Sequence, residues 1–306
     1  IDYNSEALKK CILQYCELWK LEEAFVTWVA DACTYHSTLV DRIVPGYPRA
    51  NIEEYNNKLD YQDNLIVAAE PFFLWAIEGG DDLKAKLPFD KTDLNVKIVD
   101  DIRPFKMIKV RILNGAHTAM VPVSLLFGNK LVMETVNGDF TGPYVDNVIS
   151  EISETLPMDK NEITAYAEEV MDRFKNPFIK HALADIALNS ISKFKVRVLP
   201  SLLGYYNTNK KLPTSLTFSL ACLVQFYKGI WNNEVLPVKD TPELVEAFKK
   251  AWELGNIESV VAAVLANTDF WDEDLNKVEG LSQALVHALN EIEANGIQQG
   301  FLNFSK

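Results

Sequence analysis

Lys109, Asn114 and His117 stand in the run KVRILNGAHT at spacings of five and three. These residue types suit polar, carbonyl-directed chemistry. A lysine partly buried in a cleft has its pKa lowered toward the working pH and can exchange a proton with an alcohol. An asparagine amide can donate to a developing alkoxide, and a neutral histidine can hold a hydroxyl. On an ideal α-helix each residue advances by about 100°, so Lys109, His117 and Asn114 fall at roughly 0°, 80° and 140° over about 12 Å of axis. All three can then face one cleft. Gly115 between them costs roughly 1 kcal/mol of helix propensity, which is tolerated where a ligand needs close approach. The same spacing also suits a plain helix with Lys109 solvated, Asn114 near a cap and His117 satisfied in the core. Spacing alone leaves both readings open.

The elements that must position these groups read mostly as helices. Leu8, Cys11, Ile12, Tyr15, Cys16 and Trp19 follow the three-four spacing of an apolar stripe. LEEAFVTWVADAC reads as a second helix. DTPELVEAFKKAWELGN carries its own signals: Asp240 or Thr241 as cap, Pro242 and Glu243 in the first turn, Gly255 as stop. NKVEGLSQALVHALNEIEANG offers an amphipathic stripe through Leu281, Leu285, Ala288 and Ile292. PTSLTFSLACLVQFY is apolar on most sides, which predicts a central, buried helix. NLIVAAEPFFLWAI and NVKIVDDI predict short strands. Helices of one kind on both sides of LGYYNTNKKLP favour a single domain.

With 306 residues and a 48% hydrophobic fraction the chain can hold a large core. A formal charge of −13 argues against nucleic acid or an anionic membrane surface as partner. An anionic small substrate remains compatible, provided a few Lys and Arg converge locally. Cys11, Cys16, Cys33 and Cys222 have no paired spacing and read as buried thiols of a cytoplasmic protein. The run LTFSLACLVQFY is too short to span a bilayer. His36, His181 and His287 lie outside any cluster of ligand spacing, so no metal site is expected, although HSTLVD is the place to look for zinc. No GxGxxG follows a strand and no GxxxxGK[ST] occurs.

Four blocks, in order from Ser37 to Pro200, resemble the long-chain mannitol dehydrogenase family. KVRILNGAHT resembles its K-x4-N-x2-H signature. STLVDRIVPGYPR resembles its V-D-R-I segment, AAEPFFLWAIEG its acidic-Pro-aromatic strand, and RFKNPFIKHALADIALNSISKFKVRVLP its R-F-x-N-P helix and S-x-K loop. LNGAHTAMVPVS and LDYQDNLIVAAEPF are most similar to the tagaturonate-reducing branch. The resemblance implies a mainly α, multi-helical C-terminal domain of the 6-phosphogluconate-dehydrogenase-like type with a few short strands, extending over residues 1–306. It further implies that the family's N-terminal Rossmann domain is absent, which agrees with the lack of GxGxxG and a first residue, Ile1, that is not Met.

The activity implied is NAD-dependent interconversion of D-tagaturonate and D-altronate, with the fructuronate/mannonate and mannitol/fructose pairs as the nearest alternatives. Lys109 would be general acid/base, Asn114 would stabilise oxygen charge, and His117 would bind and orient substrate. Lys193 would meet the sugar-acid carboxylate. Arg42 fits a substrate contact and a structural salt bridge equally, and Asp41 would lie on the cofactor side. NAD would be held mainly by the absent domain. Asn4 is the nearest candidate for the asparagine that the family uses near its domain junction. Eight residues before Lys193, mannitol-oxidising members carry an arginine where Asp185 stands here, which counts against an uncharged polyol. The reading from a different class is a non-catalytic helical binding or assembly module, whose Lys109, Asn114 and His117 would be scattered over the surface.

Overall fold

The structure, a computed structural model, describes residues 4–49 and 51–306. Where the sequence reads as one domain, the chain separates into two compact units, Ile1–Met107 and Ile108–Lys306.

The first unit holds helices α1 (Asn4–Leu18), α2 (Glu23–Asp31), α3 (Ile52–Asn56) and α4 (Asp81–Lys86), and strands β1 (Thr38–Asp41), β2 (Leu74–Glu78) and β3 (Val96–Val99). It ends within α5 (Arg103–Ile108). The strands form one sheet in the order β1-β2-β3. β1 runs antiparallel to β2 with Thr38 opposite Ile77, and β3 runs parallel to β2 with Val96 opposite Trp75. A parallel pair needs a crossover connection, and α4 supplies it. Both strands expected from the sequence are present. Asn4 is used structurally: its carboxamide donates to the Thr38 carbonyl at 2.8 Å and accepts from the Thr38 N–H at 3.2 Å.

The α1 stripe does not become core. Cys16 is buried, but Leu8, Tyr15 and Trp19 remain 56%, 53% and 64% exposed. An apolar stripe is buried only where another layer meets it, and α2, which packs on α1, leaves these side chains uncovered. The thiols also depart from expectation: Cys16 and Cys222 are buried, Cys33 is half-buried and Cys11 is exposed.

In the second unit the order is α6 (Gly115–Phe127), α7 (Val132–Asn137), α8 (Thr141–Ser153), α9 (Lys160–Phe174), α10 (Leu183–Ile186), α11 (Ser190–Arg197), α12 (Leu199–Asn209) and α13 (Thr214–Phe226). A short hairpin of β4 (Ile230–Trp231) and β5 (Glu234–Val235) follows, then α14 (Pro242–Trp252), α15 (Ile257–Ala266), α16 (Thr268–Trp271) and α17 (Leu281–Phe304). α13 is the central helix that its composition predicts, buried from Ser215 to Phe226 and packed against α6, α8 and α17. Its Ser219 hydroxyl donates to the Ala119 carbonyl at 2.7 Å, pinning it to α6. α14 starts as its sequence dictates. The Thr241 hydroxyl accepts from the Leu244 N–H, Pro242 fills the first turn, and Gly255 beyond its end has φ +82°.

α17 is not one straight rod. Gly296 adopts φ 73°, ψ −177°, a backbone state essentially reserved for glycine. The chain folds back there, so that the Asn303 carboxamide donates to Glu291 Oε2 at 2.8 Å. In a straight helix those residues would be about 18 Å apart. Together α5, α6 and the turn joining them run from Arg103 to Phe127, long and apolar enough to cross a membrane. Of that apolar window 72% is buried inside the protein, the environment of a core helix.

Candidate active site

Between α5 and α6 the helix widens. Lys109–Asn114 form a π-turn, in which backbone bonds run from i to i+5. Such a turn takes up more residues per revolution than 3.6. Five steps therefore leave Asn114 nearer to the side of Lys109 than the roughly 140° of an α-helix. Both residues are half-buried. Gly115 follows for a different reason from the one its sequence context suggests. A Cβ there would stand 3.1 Å from the Arg197 carbonyl and 3.3 Å from Ile152 Cδ1. The close approach seen there is that of α11's own backbone.

One turn into α6, His117 is 5% exposed. Its imidazole stacks on Phe174, at the end of α9, with centroids 4.1 Å apart and planes 19° from parallel. The His181 ring meets it edge-on at 5.2 Å. His117 Nε2 is buried and has no hydrogen-bond partner among the described residues. An unpaired buried polar atom costs about 1–3 kcal/mol, which a substrate hydroxyl placed there would relieve. Burial pushes the His117 pKa well below the ordinary imidazole value, and His181, Arg197, Arg173 and Lys109 push it further in the same direction. His117 is thus neutral, as a hydroxyl-holding role requires. Burial likewise lowers the His181 pKa, while nearby Asp185 draws it back up.

The same neighbours define a cationic wall. Arg173 is buried beside Phe174, with Nη1 3.5 Å from Glu169. Arg197 is half-buried on α11, and its Nη1 lies 3.5 Å from Thr118 Oγ1, next in sequence to His117. Lys193, one turn earlier, donates to the Ile186 carbonyl at 2.9 Å. Its pKa is lowered by burial and then by Arg197, with Asp240 acting in the opposite sense. Lys109, Asn114, His117 and Lys193 therefore all belong to the second unit, and the electrostatic environment of His117 includes Lys109 directly. Phe174, Arg173 and Arg197 join them without having been marked by spacing. RFKNP and the helix SISKFKVR carried the only signal that could have pointed to them.

Asp41 and Arg42 belong to the first unit. Asp41 is buried in β1. Arg42 is exposed, donates from Nε to the Glu70 carbonyl at 2.8 Å and lies over the Phe73 ring at 5.9 Å, a structural use for its guanidinium. His36, in the segment singled out for zinc, contacts the Glu78 carbonyl at 2.8 Å. Among the described residues no three His, Cys, Asp or Glu side chains gather as metal ligands would.

The depressed His117 pKa predicts a stability profile. A proton binds the unfolded imidazole below pH about 6.5 but is refused by the folded one. The stabilising term is thus fully present above that value and shrinks as pH falls toward the folded pKa, by about 1.4 kcal/mol per pH unit. In urea denaturation between pH 7 and 5.5, His117→Gln should lose much of the acid sensitivity of the wild type. Equal slopes for the two proteins would show that the imidazole is not the group refusing the proton.

Residues 101–293 match the mannitol dehydrogenase C-terminal domain. The chain belongs to the mannitol dehydrogenase family. Residues 1–91 match the Rossmann domain of the same mannitol dehydrogenases. The sequence reading gave all 306 residues to the C-terminal type, whereas these matches change over between residues 91 and 101, close to the division at Met107. Altronate oxidoreductase of Bacillus subtilis is 44% identical over 302 residues, which are 98% of this chain and 62% of that protein. The Escherichia coli O7:K1 altronate oxidoreductase is 42% identical over 305 residues, 98% of this chain and 63% of that one. The chain thus spans less than two thirds of the length of these curated relatives. The fold is shared with Pseudomonas fluorescens mannitol 2-dehydrogenase in its ternary complex with NAD and D-mannitol, at TM-score 0.75, 20% identity and 99% coverage of this chain, 60% of that one. A D-sorbitol dehydrogenase in substrate-free form gives TM-score 0.76 at 18% identity, covering 98% and 60% of the two chains. The mainly α, multi-helical expectation with a few short strands agrees with this fold.

Proposed function

We propose that this chain carries the substrate-handling part of an NAD-dependent oxidoreductase interconverting D-tagaturonate and D-altronate in the cytoplasm. The observation that carries the reading is the buried, neutral His117, its Nε2 unpartnered, set beside Lys109 and two arginines. Lys109 protonates the substrate oxygen when the ketone is reduced and takes that proton back when the alcohol is oxidised. Asn114 donates to the oxygen as charge develops, and His117 Nε2 bonds a neighbouring hydroxyl and fixes the sugar's orientation. Lys193, one turn before Arg197 on α11, is kept as a further substrate contact. Asp41 is assigned to the cofactor side in the first unit. Arg42, already bonded to the Glu70 carbonyl, is retained as a substrate contact of second rank.

The cofactor supplies the hydride chemistry. The 306 residues contain no GxGxxG, so the glycine-rich cradle for its pyrophosphate does not fit any segment here. We assign that cradle to sequence outside these residues, and expect the chain by itself to lack dehydrogenase activity. Support for a sugar acid comes from two sides. The relatives at 42–44% identity are altronate oxidoreductases, and cations cluster around His117 in a chain of net charge −13.

The deciding measurement is NADH oxidation by the protein containing both the cradle and this chain, with tagaturonate, fructuronate and fructose offered in parallel. Tagaturonate should give the highest kcat/KM. Preference for fructuronate would move the assignment to the mannonate-forming branch, and reduction of fructose alone would overturn the uronate reading.

A further inference from the structure

We infer that Arg197, rather than Lys193, is the group that receives the substrate's carboxylate. This inference rests on the sugar-acid reading above and names the residue that makes it one. Arg197 ends α11 with Nη1 3.5 Å from Thr118 Oγ1, against the turn of α6 that carries His117. That placement is held from behind, because α11's backbone meets α6 at Gly115, where even a Cβ would come within 3.1 Å of the Arg197 carbonyl. The guanidinium is half-buried, and among the described residues no carboxylate pairs with it. Glu169 faces Arg173 at 3.5 Å, and Asp272 pairs with Lys195 at 2.8 Å, so Arg173 and Lys195 each have an acid of their own. A partly desolvated guanidinium without an anion is an unfavourable arrangement, and it cannot discharge, since arginine stays protonated in proteins.

What such a group fits is a planar carboxylate, which it can bind by two parallel N–H···O bonds. Lys193 is less suited. Its amine already donates to the Ile186 carbonyl, and Asp240 acts on it from the other side. Arg173 has Glu169, and the first unit's Arg42 donates to the Glu70 carbonyl. A neutral hydroxyl could satisfy one N–H of Arg197 but would leave its charge unmatched. Arg197 therefore selects a monocarboxylate sugar over the corresponding polyol or ketose.

The test uses wild type, Arg197→Gln and Arg197→Lys in the protein with both halves, with kcat and KM measured for tagaturonate and for the uncharged ketose fructose. Equilibrium binding of D-altronate is measured by calorimetry on the same proteins. Arg197→Gln should raise KM for tagaturonate and Kd for altronate by about 100-fold, with kcat changed less than about threefold and the fructose KM moved far less than that for tagaturonate. Arg197→Lys should recover only part of the loss, because a point charge cannot make the paired bonds, and it keeps the test decisive if the glutamine variant folds poorly. Unchanged KM and Kd in Arg197→Gln, or equal losses for tagaturonate and fructose, would overturn the inference. Should the wild type bind altronate through Arg197 yet fail to reduce tagaturonate, the catalytic reading alone would fall. A wild type that does not bind altronate would remove both.

Discussion

Lys109→Ala should lower turnover of the complete enzyme by roughly 10²–10⁴-fold while leaving NADH binding unchanged, the range expected when a positioned acid/base is removed. The split follows from where Lys109 sits. It opens the π-turn of the second unit, half-buried, and its charge is one of those that hold His117 neutral. On the proposed role, removing the amine takes away the proton source at the substrate oxygen but none of the groups assigned to the sugar's other end. The loss should therefore fall on kcat and kcat/KM together, with KM little changed. A second signature separates chemistry from structure. With one positive neighbour gone, the pKa of His117 should move up toward its ordinary value, visible as a shifted imidazole titration by NMR. Near-normal turnover in Lys109→Ala would refute the acid/base role, and an unmoved His117 would show that the amine does not face the ring.

How much of this was readable beforehand depended on the range of the forces involved. Signals that act within a few residues were legible. Thr241, Pro242 and Gly255 bracket α14 because a cap, a preset φ and a left-handed stop are local requirements. The uniformly apolar TSLTFSLACLVQF could be nothing but a central helix, and it is buried from its second residue onward. Three departures share another origin. The π-turn at Lys109–Asn114 changes the period of the helix, and a pattern read at 3.6 residues per turn cannot report its own violation. Gly115 was credited to a ligand, whereas it answers to the backbone of a residue 82 positions later. Tyr15 and Trp19 have the spacing of core residues, but burial depends on what covers a helix.

The site divides in the same way. The residues proposed to carry the chemistry within one segment, Lys109, Asn114 and His117, could be picked from a short run. Those that condition the chemistry from other helices could not. Phe174, Arg173 and Arg197 lie 56 to 80 positions from His117 in sequence, and only packing of α9 and α11 around α6 makes them its neighbours. The cations around His117, on which the sugar-acid proposal rests, are thus a property of the tertiary fold, invisible in a composition dominated by acids.

Phe174 is where that tertiary support can be measured. It is 3% exposed and stacked against the His117 ring, so Phe174→Ala should destabilise the protein by about 3–5 kcal/mol, the usual range for deleting a buried phenyl ring. About 0.5–1.5 kcal/mol of this belongs to the aromatic pair. The space left behind would admit water or let the imidazole turn, and either change weakens the desolvation that keeps His117 neutral. Phe174→Leu separates the two effects, since it retains much of the volume but offers no flat face. Its stability should lie well above that of Phe174→Ala in urea denaturation, whereas its kcat/KM for tagaturonate should fall nearly as far, because the imidazole plane is no longer set. A Phe174→Leu enzyme with full activity would show that volume suffices and that the stack plays no part in aiming Nε2. A loss below about 1 kcal/mol in Phe174→Ala would show that α9 does not hold the ring from behind, and the proposed hydroxyl-binding role of His117 would then need a different support.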